Sequence, residues 1–231
     1  MSSPSHINVP MMLVQHSPLL KLPSELRLEV YDFLGRLEPK SYPFGWTAIR
    51  CIDRRAPPTA LIATCRCLHD EILTHFYNTV TFHYLTPTIN HPPISGLPQI
   101  ALTAVRQVKK FHLGIHWKMS GSSLKKKNSE HSYVVFRWLE DITKMLLREA
   151  KNLETVTIAV FDLPVGVDWE CKKSLLDPLK ILGQRAVLRL GEITTTGEEE
   201  EVELTARMKS YLDGINKDRL HTSDVTALDE Q

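Results

Sequence analysis

Apolar positions along the chain recur at two different spacings, and the alternation between them predicts the elements. Leu26, Val30, Phe33 and Leu34 fall at i, i+4, i+7 and i+8, a helical stripe. Pro23 and Glu25 suit a helix start just before it, and Gly35 suits its end. Leu61, Cys65, Leu68, Ile72 and Phe76 mark a second helix from Thr59 to the Asn78-Thr79 turn. Val80, Phe82 and Tyr84 then alternate as in a strand.

Beyond the prolines at 87, 92, 93 and 98 the period switches repeatedly. A helical turn over Ile100–Val105 precedes alternation at Phe111, Leu113, Ile115 and Trp117. Val135, Leu139, Ile142 and Leu146 predict a helix, and Val156, Ile158 and Val160 a strand. Leu175, Leu176, Leu179 and Leu182 predict a helix that Pro178 interrupts. Val187–Ile193 is a strand. Glu198–Glu201 suit the N-terminus of a last helix, whose apolar side is Leu204, Met208, Tyr211, Leu212 and Ile215. Strands alternating with helices from 108 to 216 imply right-handed crossovers and a small parallel sheet.

The expected fold class is therefore α+β: an N-terminal helical module, then a small, mostly parallel sheet with flanking helices. Irregular leucine-rich-like α/β units are an alternative form of the second part, although the regular leucine-rich consensus is absent. The expected division is a flexible tail over 1–18, the module over 19–85, the α/β domain over 86–216 and a polar C-terminal tail over 217–231. The proline-punctuated stretch 36–58 reads as irregular, and the Ser/Gly/Lys-rich stretch 118–132 as a mobile loop.

Composition narrows the classes. The 231 residues include 42% hydrophobic and 24% charged positions, ordinary for a globular chain. Lys and Arg total 28 against 27 Asp and Glu, a net charge of +1. That balance provides no long-range pull toward nucleic acid or an anionic membrane. Four cysteines without regular spacing do not make a disulfide framework, so a reducing compartment, cytoplasm or nucleus, is expected. No apolar window is long enough to span a bilayer.

Chemistry is sparse. His112 and His116 would share a helix face, but the residues between them alternate, so both belong to the polar face of a strand. No third ligand at metal-binding spacing accompanies them. Cys65 belongs to the apolar stripe and reads as a small core residue. His69, Asp70 and Glu71 read as a solvated face. Lys125–Lys127 and Arg50, Arg54 and Arg55 are the basic clusters, and they read as solvated surface. There is no G-x-S-x-G, H-E-x-x-H, Walker or G-x-G-x-x-G motif. No enzyme activity and no cofactor are expected.

Two segments are more specific in combination. Leu-Lys-Leu-Pro-Ser-Glu-Leu-Arg-Leu-Glu-Val-Tyr-Asp-Phe-Leu spans residues 20–34, and Ala-Leu-Ile-Ala-Thr-Cys-Arg-Cys-Leu-His-Asp-Glu spans 60–71, continuing to Phe82. Their order resembles the F-box-like domain proteins of fungi, over about a third of the chain. The resemblance implies a non-enzymatic substrate-receptor subunit of an SCF-type (cullin–RING) ubiquitin ligase. Its partners would be a Skp-type adaptor, a cullin and an unidentified substrate protein. The implied adaptor-binding residues are Leu22, Pro23, Leu26, Val30 and Leu34, with Leu28 and Tyr31 as a second, exposed apolar edge. The alternative is a structural F-box-like scaffold without ligase assembly, in which Leu28 and Tyr31 would be buried. One departure stands out: the gap between Leu-Pro and Cys-Arg is longer than in an ordinary F-box, by roughly residues 36–58.

Overall fold

A computed structural model describes residues 18–35, 49–85, 99–116, 128–163, 168–195 and 199–228. The chain forms two compact bodies. A helical body combines Met1–Glu38 with Arg55–Phe76, and a sheet body combines Pro39–Arg54 with Tyr77–Gln231. By this division residues 39–54 and 77–85 belong with the sheet, and not with the module expected over 19–85.

The helical body opens with a 3-10 turn over Pro18–Lys21, followed by α1 (Ser24–Gly35). The second predicted helix is two helices, α2 (Thr59–Ile62) and α3 (Arg66–Thr79). Between them the backbone tightens, with Thr64 N donating to Leu61 O at 3.2 Å, and the Thr64 hydroxyl donates to Ala60 O at 3.0 Å. Tyr31, Leu68 and Ile72 form the core of this body, with Leu19, Leu20, Leu28, Leu61, Ile62 and Cys65 packed around them.

The sheet body runs β1 (Ile49–Ile52), β2 (Thr81–Leu85), α4 (Gln99–Gln107), β3 (Lys110–His116), α5 (Asn128–Glu149), β4 (Thr155–Leu163), α6 (Trp169–Leu175), α7 (Leu179–Gly183), β5 (Val187–Thr195) and α8 (Glu199–Leu228). The five strands lie in sequence order. β1 is antiparallel to β2, and β2 through β5 are parallel. The expected α+β class with a small, mostly parallel sheet and flanking helices is what the chain forms.

Three details were not anticipated. β1 lies within the stretch expected to be irregular. Residues 128–132, expected in a loop, begin α5. Residues 217–228, expected in a polar tail, continue α8. The expected N-terminal tail apart from Pro18, residues 36–48 of the spacer, the proline-rich loop 86–98 and the Lys125–Lys127 cluster lie outside the described residues.

Neighbouring parallel strands joined by right-handed crossovers carry their helices on one face. The register shows which residues line it. Ile52, Phe82, Phe111, Val156 and Leu188 form one cross-strand row, and Tyr84, Leu113, Ile158 and Leu190 the next. All are buried except Leu190, which is half-buried. Phe111 meets Phe82 edge-on at 5.8 Å and Tyr84 at 5.4 Å. The opposite face carries Thr81, His83, Lys110, His112, Thr155, Thr157 and Arg189, none of them buried. Val135, Leu139, Ile142 and Leu146 of α5 are buried, as their spacing predicts.

Edges and ends are closed by specific side chains. The Asn216 amide accepts from Leu188 N at 2.9 Å and donates to Leu188 O at 2.8 Å, so α8 occupies backbone groups of the edge strand β5. Arg185 donates to the carbonyls of Leu147 (2.6 Å) and Lys151 (2.9 Å) where α5 ends. A Cβ on Gly183 would lie 2.1 Å from Ile215 Cγ2, so glycine lets α7 and α8 approach closely.

Candidate functional site: the outward stripe of α1

The two motif segments meet in the helical body, and charged side chains join them. Arg27, from the Leu-Pro segment, donates through Nε to Glu71 Oε1 at 2.9 Å and through Nη2 to Oε2 at 2.8 Å. This is the fork geometry that suits a guanidinium and a carboxylate. Arg27 Nη1 also donates to the Leu22 carbonyl at 2.6 Å, tying the Leu-Pro turn to α3. Four or five residues further along each helix the arrangement recurs: His75 Nε2 lies 2.9 Å from Asp32 Oδ1. Tyr31 sits between the two pairs, its ring 6.2 Å from that of His75.

Glu71, expected on a solvated face, is therefore an interior clamp, and only 22% of its side chain is exposed. The hydrogen bond from Arg27 holds its carboxyl below the usual range, with the positive charge of Arg27 adding to the effect against the opposing pull of burial. The sign of the linkage follows. The unfolded chain binds a proton more readily than the folded one, so the clamp's contribution is full above about pH 4.5 and lost as pH falls through the lower folded value. Glu71→Gln is expected to flatten the acid limb of a stability–pH curve read from α1 amide exchange; an unchanged acid limb would refute this role. Burial raises the pKa of Tyr31, and the negative charge of Glu71 adds to it.

These contacts decide which side of α1 is buried. Tyr31 is 7% exposed and Leu28 packs on the core of its own body, so the exposed edge expected at Leu28 and Tyr31 is not exposed. Leu26 and Phe33, two members of the predicted helical stripe, are 46% and 72% exposed, and Leu22 is 37% exposed. Val30 and Leu34 are half-buried, and Pro23 is exposed immediately before the helix. The physical reason is that α1 has two apolar edges and periodicity cannot rank them. Arg27 and Asp32, which flank the Leu28/Tyr31 side, find partners on α3 and turn that side inward.

The outward surface of α1 thus carries Leu22, Leu26 and Phe33, with Leu26 and Phe33 two turns apart on one side of the helix. A short surface helix normally buries its apolar stripe. Among the described residues the other exposed large apolar side chains are Ile181, Val187 and Val202, all in the sheet body.

Elsewhere the other candidates resolve as follows. Cys65 packs against the core, Cys67 and Cys171 are exposed, and all four cysteines are free. His112 and His116 lie half-buried on the same face of β3, and His116 stacks on Phe161 at 4.8 Å. Among the described residues no group of three His, Cys, Asp or Glu is placed to hold a metal. A groove of about 420 Å³ between α7 and α8 is lined by Lys180, Gln184, Tyr211 and Ile215 among others. Its Lys180 pairs with Asp177 at 2.8 Å, and Tyr211 donates to the same carboxylate at 3.3 Å. Among the described residues no helix is long and apolar enough to cross a membrane.

No family model, no curated protein and no solved structure matches this chain.

Proposed function

We propose that the chain is a protein-interaction subunit whose helical body docks a Skp-type adaptor, making it a substrate receptor of an SCF-type ubiquitin ligase. One observation carries the reading: Leu22, Leu26 and Phe33 are exposed on and beside the helix that follows the Leu-Pro motif. The clamp between Arg27 and Glu71 supports it, because it gives a shared structural purpose to the two segments that resemble an F-box. An amphipathic helix of this kind is recognised by laying its apolar side into a groove of the partner.

The long spacer also acquires an account. Residues 49–52 supply β1 at the edge of the sheet, and the chain belongs to the helical body again from Arg55. Arg55 N then donates to Gly35 O at 3.0 Å, at the C-terminal end of α1. Part of the extra length between the motif halves is thus the strand β1, and the Arg55–Gly35 hydrogen bond joins the two sides of the spacer.

A second reading, a structural F-box-like scaffold that does not assemble into a ligase, is favoured by the burial of Tyr31 and the packing of Leu28. Co-purification of the full chain with the adaptor and a cullin separates the two. Micromolar or tighter binding, weakened at least tenfold by Leu26→Asp with Phe33→Asp, is expected. Both residues are exposed, so the double variant should retain its helical circular dichroism. No binding by the unaltered chain would sink the receptor reading and leave the scaffold. Binding that the double variant leaves intact would move the docking site off α1.

A further inference from the structure

His83 and His112 are register partners on β2 and β3, the strands at which the antiparallel edge pair joins the parallel part of the sheet. Their rings stack with centroids 4.6 Å apart and planes 26° apart, and both residues are half-buried. Two imidazoles so placed cannot both be charged without close repulsion.

The surroundings do little to offset a proton there. From β1, Cys51 is the register partner of His83, and its thiol is pushed up by burial and by Asp53, so it stays neutral. Asp53 is the acid of this neighbourhood. It already accepts from Thr81 N at 2.8 Å and lies 3.8 Å from Arg54. On β3 the same face presents Lys110 and His116, on β4 Thr157 is opposite His112, and Arg189 on β5 ends the row. The other two parallel seams have no histidine pair in this row: Thr157 and Arg189 continue it.

We propose that the β2–β3 seam is an acid-sensitive joint, at which protonation of the stacked histidines loosens the β1–β2 pair from β3. Burial lowers the pKa of both rings; His83 lowers His112 further, while Asp53 works the other way on His83. Folded values below the ordinary 6.5 mean that the unfolded chain takes up protons first. The seam is therefore fully stabilised above that value and weakens as pH falls through it toward the folded values. Histidine is the residue whose charge changes in this range.

The test is amide exchange of the full chain at about pH 7.5 and about pH 5.5, corrected for intrinsic rates. Acidification should lower protection of β2 relative to β4, with about tenfold per proton and pH unit as the ceiling that linkage sets. His112→Gln should diminish that difference, leaving only the share that the burial of His83 contributes. Equal loss in β2 and β4, or an undiminished difference in the variant, would overturn the joint. Should the variant not fold, the histidine ring signals of the unaltered chain decide. Two separated titration steps below 6.5 support the proposal, and a shared step at 6.5 refutes it.

Discussion

Replacing Leu68 by alanine is expected to lower the stability of the helical body by about 3 kcal/mol, with little change in the sheet body. Leu68 is 1% exposed and, among the described residues, shares that body's buried core with only Tyr31 and Ile72. The half-buried residues around it, among them Leu19, Leu61 and Cys65, cannot all move in to fill the gap, so most of the lost volume stays as a cavity. A core this small has little stability in reserve. Amide exchange should report the loss as faster opening of α1 and α3 while β4 keeps its protection. The adjacent Cys67→Ala, at an exposed position, should change either body by less than about 0.5 kcal/mol. Equal loss of protection in β4, or a Leu68→Ala effect no larger than that of Cys67→Ala, would contradict two separate cores.

Much of the sheet body was legible because its periods are long and clean. Leu139, Ile142 and Leu146 recur on one helix face and are fully buried, and Val156, Ile158 and Val160 alternate and are buried as well. Pro178 split α6 from α7 for the reason its missing N–H suggests. What stayed hidden lacked a local signal. β1 is four residues between proline-rich stretches, and it is a strand because it pairs with β2, with a register shift between Ile49 and Cys51. The end of α8 has no continuous apolar stripe, so periodicity gave no reason to extend it past Ile215.

The candidate site was legible in place but not in orientation. The Leu-Pro segment pointed to α1, and Leu22 and Leu26 are indeed exposed there. The exposed edge expected at Leu28 and Tyr31 is packed inward, and Phe33, outside the implied contact residues, is the most exposed member of its stripe. What sets the orientation is a pair of contacts across 44 and 43 residues, Arg27–Glu71 and Asp32–His75, which no window along the chain can hold. A usable signal was present all the same: the charged residues Arg27 and Asp32 bracket Tyr31, and charges on the apolar side of a helix seldom lack partners. Pairing the motif arginine with the motif glutamate would have turned the helix correctly.

The same distinction between local and long-range determinants bears on the largest single effect expected in the sheet body. Ile158 is fully buried on β4, between Leu113 of β3 and Leu190 of β5 in register. Ile158→Ala removes branched bulk from a strand that is paired on both sides. The cost should be about 4 kcal/mol, near the upper part of the range for such truncations, because neighbours held by two ladders cannot collapse onto the cavity. Leu190→Ala lies in the same row but on the edge strand and half-buried, and should cost about half as much. Ile158→Val, which keeps the β-branch, should cost about 1 kcal/mol. Chemical denaturation followed at β4 amides would give all three, and the order of the costs is the decisive result. If Leu190→Ala equalled Ile158→Ala, the edge strand would be as constrained as the centre, and the two Asn216 hydrogen bonds to Leu188 would then be the first contacts to remove.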